Sequence, residues 1–117
     1  MTFALNPIQH PHYWILEFTG RLDTQASMAL DQNFQSLLQA LPPHTILDLS
    51  ALDYIASAGL RMILLALKQA KQQNCAISMC GLQESVAQVL HISGFLNLLT
   101  VHATREAALS QLPPAAS

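Results

Sequence analysis

The chain has 117 residues, of which 51% are apolar and only 10% charged, and its formal net charge is -2. A chain of this length forms one domain that buries roughly two thirds of its unfolded surface, and so few charges leave an apolar or neutral exterior, part of which is expected to meet a partner. The five basic residues Arg21, Arg61, Lys68, Lys71 and Arg105 are spread out, with only one predicted helix holding three of them, so the electrostatic footprint of a nucleic-acid-binding protein is missing.

Phe3 to Ile8 and Tyr13 to Thr19 read as two short strands, with Gln9-His10-Pro11-His12 as the turn of a hairpin. In the second, Trp14, Leu16 and Phe18 alternate with Tyr13, Ile15 and Glu17, which predicts burial on both faces. Gly20-Arg21-Leu22-Asp23-Thr24 follows as a loop with two candidate N-caps, Asp23 and Thr24. Leu30, Phe34, Leu37, Leu38 and Leu41 then recur at i, i+4, i+7, i+8 and i+11, the apolar stripe of a helix that Pro42-Pro43 ends. Thr45 to Leu49 has the composition of an interior parallel strand, and the helix before it is long enough for a crossover, so the three make a βαβ unit. A second helix is predicted from Ala58 or Gly59 to about Gln73, with Leu60, Ile63, Leu64, Leu67 and Ala70 buried and Met62 and Leu65 outside that stripe. Ala76 to Cys80 is the next parallel strand, closed by Gly81, and Glu84 to His91 a third helix carrying Val86, Val89 and Leu90. After Ser93-Gly94 come a short apolar turn, Phe95 to Leu99, a last strand, Thr100 to His102, and a final helix, Thr104 to Leu112, with Ala108 and Leu112 inward. Residues 113–117, opening on Pro113-Pro114, read as a disordered tail.

This order predicts a single α/β domain over residues 1–112, with a mixed sheet of about four to five strands, an antiparallel N-terminal pair and about four to five helices. Ligands and partners of such sheets gather at the carboxyl ends of the strands, where both Ser57 and the Gly20-Arg21-Leu22-Asp23 loop fall. Cys75 and Cys80, placed in one strand and facing opposite ways, share neither a bridge nor a metal and read as buried thiols. His10 and His12 flank a turn without a third ligand, His91 and His102 have no readable carboxylate partner, and Asp48 is a single carboxylate organising a strand end. No metal and no cofactor is expected. Asn6, Gln9, His10 and His12 break up the first dozen residues, and no span reaches the roughly 20 apolar residues that cross a bilayer, so the expectation is a cytoplasmic chain without membrane insertion.

The run from Ile46 to Arg61 takes an apolar strand through a tight turn and delivers Ser57 to the opening of a helix. A hydroxyl there has two readings: a structural N-cap, contributing about 1 kcal/mol, or an acceptor whose phosphate the helix N-terminus would favour. Asp23 likewise either caps the first helix or lies beside Ser57. A hydrolase nucleophile elbow needs G-x-S-x-G, and Ile55 stands where its first glycine belongs, so the chain is not expected to be an enzyme.

Three stretches in order, Gly20-Arg21-Leu22-Asp23, then Asp48-Leu49-Ser50 with Ile55-Ala56-Ser57-Ala58-Gly59-Leu60, then Ile92-Ser93-Gly94-Phe95, resemble the STAS family, the domain shared by sulphate transporters and anti-sigma factor antagonists. The resemblance runs from about Phe3 to Leu112. In the bacterial antagonists the turn reads D-S-S-G or D-S-T-G and its first hydroxyl residue accepts phosphate; aligned on Gly59, Ser57 takes that position, while Ala56 replaces the aspartate and Ala58 the second hydroxyl. The resemblance implies a partner-switching regulator of transcription that docks on an anti-sigma factor serine kinase, is switched off by phosphorylation of Ser57 and is reset by a serine phosphatase. Gly59 is expected to shape the turn, Asp23 and Asp48 to border it with Ala56 and Ala58, and Arg61, Met62 and Leu65 to extend the docking face. The alternative is a STAS subunit that is never phosphorylated and binds a transporter ATPase or a scaffold, which the two alanines favour.

Overall fold

The computed structural model describes residues 3–94 and 99–112, and the pattern of apolar side chains decides where its elements lie. They are β1 (Ala4–Gln9), β2 (Tyr13–Leu22), α1 (Thr24–Leu38), β3 (His44–Ile55), α2 (Ser57–Gln72), β4 (Ala76–Cys80), α3 (Glu84–Ile92), β5 (Thr100–His102) and α4 (Arg105–Ser110). Five strands form one sheet in chain order, with β1 antiparallel to β2 and each later neighbour parallel. Parallel neighbours need a crossover, and α1, α2 and α3 supply three of them.

Side chains alternate across a strand, so β2 and β3 feed two cores. Leu16, Phe18 and Leu22 of β2 join Leu47, Leu49, Leu52 and Ile55 of β3 beneath α1, α2 and α3, where Leu30, Phe34, Leu38, Leu60, Ile63, Val86 and Leu90 close the main core. Ile15 and Ile46, facing the other way, meet Cys80 and Ala108 under α4. Burial of β2 on both faces, expected from its sequence, is therefore present, and the single α/β domain has the predicted mixed sheet with four helices among the described residues.

The strand predicted at Thr45 to Leu49 continues to Ile55. It does so through two bulges: Glu17 pairs with Asp48 but Thr19 with Ala51, and Gly20 with Leu52 but Arg21 with Tyr54, each time with one residue extra on β3. Asp48 holds the first, its Oδ1 accepting from the Ser50 N–H at 3.0 Å and the Ser50 hydroxyl at 2.7 Å. β4 reaches only Asp48, and beyond it the exposed edge of β3 is covered by side chains, Gln83 Nε2 donating to the Ser50 carbonyl at 2.8 Å and Ser85 Oγ to that of Asp53 at 2.9 Å. Cys80 is buried as expected, whereas Cys75 precedes β4 and is only half-buried. The turn expected at Phe95 to Leu99 falls, except for Leu99, outside the described residues, as does the tail at 113–117.

Candidate functional site

Both crossover turns end at the same place because the Ala56 N–H donates to the Leu22 carbonyl at 2.9 Å, which ties the β3–α2 turn to the β2–α1 turn. On the β2 side the helix start is fully dressed. Asp23 Oδ1 accepts from the Ala26 N–H at 2.8 Å, and the Ser27 hydroxyl donates to the Asp23 carbonyl at 2.8 Å. Asp23 is thus the N-cap of α1 and also one residue from the tie that brings Ser57 close.

On the β3 side the helix start is bare. The cap residue of α2 is Ala56, which has no side-chain acceptor, and Ser57 is the first helical residue. The capping role considered for Ser57 is therefore corrected: the cap position belongs to Ala56, and Ser57 is the first residue inside the helix. Ser57 is exposed and Ala58 half-buried, while Ala56 and Gly59 are buried. The N–H groups of the first turn lack intrahelical partners and carry the positive end of the helix dipole, so this end of α2 favours a negative charge.

Gly59 does not shape the turn through its backbone, since the glycines with positive φ are Gly20, Gly81 and Gly94. It permits close approach. A Cβ there would lie 2.7 Å from Leu22 Cγ and 3.1 Å from Ser27 Oγ, so a bare backbone is what lets α2 settle against β2 and α1.

Further along α2, Arg61 is exposed and Leu65 is 53% exposed, but Met62 is 6% exposed. Met62 is removed from the docking face: it shares the flank of Gly59 and Ala66, which packs inward, so the buried stripe holds Leu60, Ile63 and Ala70 as predicted, with Leu64 and Leu67 half-buried against the core, and widens to take in Met62. Asp48 is corrected too. It lies seven residues before Ile55, roughly 20 Å along the strand, on the sheet face covered by α4, and does not border Ser57.

Asp48 instead belongs to a cluster that sequence reasoning missed. Arg105, the first residue of α4, donates through Nε to Asp48 Oδ2 at 2.8 Å and through its terminal nitrogen to Glu17. Hydrogen bonding from Arg105, then from Asn6, holds Glu17 below the usual carboxylate range. Burial alone would raise Asp48, but hydrogen bonds from Ser50 and Arg105 outweigh it and leave Asp48 lowered as well. Beneath them, burial and then the Asp48 charge push the Cys80 thiol up to about 11. This is an anchor for α4. On the same outer sheet face the Arg21 guanidinium stacks 4.2 Å above the Tyr54 ring, a cation–π contact across β2 and β3. Among the described residues there is no group of three metal-binding side chains, and no helix is long and apolar enough to cross a membrane.

The STAS domain profile matches residues 4–108. The protein named putative anti-sigma factor antagonist BtrV, of Bordetella bronchiseptica, is 49% identical over 63 residues, and the match spans about half of each, 54% of this chain and 54% of that protein. The anti-sigma F factor antagonist of Paenibacillus polymyxa is 25% identical over 113 residues, 96% of this chain and 97% of that one. A crystal structure of an anti-sigma factor antagonist from Mycobacterium paratuberculosis superposes with a TM-score of 0.83 at 18% identity, covering 93% of this chain and 92% of that chain, a likeness of fold. With its strand order, its paired crossover turns and a family match over nearly its whole length, this chain belongs to the STAS domain family.

Proposed function

We propose that this STAS domain is an anti-sigma factor antagonist, a non-enzymatic partner switch that binds an anti-sigma serine kinase while Ser57 is unmodified and is released when Ser57 is phosphorylated. A serine phosphatase restores the binding form. The observation that carries the reading is the exposed Ser57 at the first position of a helix whose cap has no side-chain acceptor. Phosphate adds about -1.5 to -2 charges and a strongly hydrated group. The helix start favours that charge without refolding, whereas a partner surface that must be desolvated on docking rejects it. Asp23, Ala58, Arg61 and Leu65 complete the docking face, with Ala56 and Gly59 supporting it from below.

Hydrolysis does not fit the turn: Ile55, at the place where a nucleophile elbow needs glycine, is 3% exposed and packed into the core. The second reading, a STAS subunit of a transporter or scaffold that is never phosphorylated, is favoured by Ala56 and Ala58, which leave Ser57 without polar neighbours in sequence. Incubation with the anti-sigma kinases of the source genome and ATP separates the two. The switch reading predicts a single phosphate mass shift, abolished by Ser57→Ala. No shift with any of them, together with stable copurification with a transporter ATPase, selects the scaffold.

A further inference from the structure

Two large apolar side chains stand in solvent on neighbouring helices, α1 and α2. Met28 of α1 is 75% exposed and Leu65 of α2 is 53% exposed. Two contacts fix how these helices lie: Gly59 backs onto Ser27 near the start, and Gln73 Nε2 donates to the Leu38 carbonyl at 3.2 Å near the end. The helices therefore run side by side in the same direction. Gln25, Ala26, Ala29 and Asn33 line the groove between α1 and β1, so helical periodicity turns Met28 to the opposite flank of α1, toward α2. The same periodicity puts Leu65 next to the Gly59, Met62 and Ala66 flank that meets α1, on its outer side. Met28 and Leu65 thus rise on either side of one seam, about a helical turn apart along it, with Leu65 roughly two turns beyond Ser57 on α2.

Charge sets the chemistry of what covers them. α2 holds Arg61, Lys68 and Lys71, three of the five basic residues of a chain whose net charge is -2, and no acidic residue. Arg61 and Lys68 are exposed and flank Leu65 at i-4 and i+3. Leu65, an apolar anchor bracketed by cations, is complementary to an apolar side chain bracketed by carboxylates, whereas Met28 has no basic neighbour on α1 and the exposed Asp31 at i+3.

We infer that Met28 and Leu65 are the two apolar anchors of the docking face, and that the partner is a protein segment that meets Leu65 with an apolar residue flanked by Asp or Glu. This rests on the proposed function and names the chemistry of its partner surface. Exposed apolar anchors at the centre of an interface dominate affinity, and rim charges act on the association rate and its salt dependence.

The test uses the full chain and the kinase that phosphorylates Ser57 in the assay above. Met28→Asp and Leu65→Asp are each expected to weaken kinase binding at least tenfold with unchanged thermal unfolding, while Ile92→Asp, at an 83% exposed apolar position on α3, leaves affinity as it is. Arg61→Gln is expected to flatten the fall in association rate between low and high salt. Wild-type affinity in both Met28→Asp and Leu65→Asp overturns the inference and leaves the Ser57 reading intact; absence of any kinase that binds or modifies the chain overturns both. Self-association in sedimentation, or binding to phosphatidylglycerol vesicles, that Met28→Asp abolishes would assign the seam to a second copy or a membrane and overturn the inference equally.

Discussion

A hydroxyl group that caps nothing can be removed without harm, and this separates the two roles of Ser57 at the residue scale. Ser57→Ala is expected to change unfolding free energy by less than about 0.5 kcal/mol, as at an ordinary surface site, whereas Asp23→Ala, which deletes a cap accepting from the Ala26 N–H, is expected to lose about 1 kcal/mol. Urea titration of both variants measures the contrast, and a loss of about 1 kcal/mol in Ser57→Ala would restore the capping role. Gly59→Ala gains helix propensity of about 1 kcal/mol but drives a Cβ to 2.7 Å from Leu22, an overpacking that costs about 1–3 kcal/mol. A net loss of about 0–2 kcal/mol is expected, and a stabilised variant would show that Leu22 yields easily. Which glycine mattered was readable from the chain, but why it mattered was not, because close approach depends on Leu22 and Ser27, residues that sequence spacing does not bring near it.

At the scale of elements, the anchor of α4 is the feature with a pH signature. Glu17 and Asp48 both titrate below the usual carboxylate range, so the stability they contribute is complete above the ordinary values near 4 and is lost as pH falls through their lowered folded values. α4 should therefore loosen in acid before the main core opens, which amide exchange across Arg105–Ser110 reads directly. Arg105→Met leaves the Asp48 carboxylate buried with Ser50 alone. Discounted for the 31% exposure of Arg105 and Glu17, this is expected to cost about 1–2 kcal/mol at pH 7, with the gap to wild type narrowing as pH falls through the lowered values of the two carboxylates. A gap independent of pH would mean that packing, not charge, holds α4. Asp48 stood out in the sequence, but its partner lies 57 residues away and Glu17 is 88 from Arg105, a pairing that only the closed sheet creates. The extension of β3 to Ile55 is hidden for a related reason: Ser50 and Asp53 interrupt the apolar run, while pairing with β2 through two bulges keeps Leu52 and Ile55 in the core.

For the molecule as a whole, the order and type of the elements were legible because each is a strong local pattern: alternation in β2, the stripe through Leu30, Phe34 and Leu38 in α1, the apolar run opening β3. The flank of α2 that meets solvent was only half legible. Leu65 was placed correctly and Met62 was not, since the rotation of a helix is set by its neighbours, here α1 against Gly59 and Gln73. What the sheet achieves is to bring the Leu22–Asp23 and Ala56–Ser57 turns together at one end, where, under the proposed function, a phosphate on Ser57 changes a surface without changing a fold. The direct test is to titrate one anti-sigma kinase with the unmodified chain and with the chain carrying phosphoserine at position 57. The account predicts affinities apart by roughly 10⁴-fold, about 5.5 kcal/mol, as a switch between mostly bound and mostly free requires; equal affinities for the two forms would contradict it.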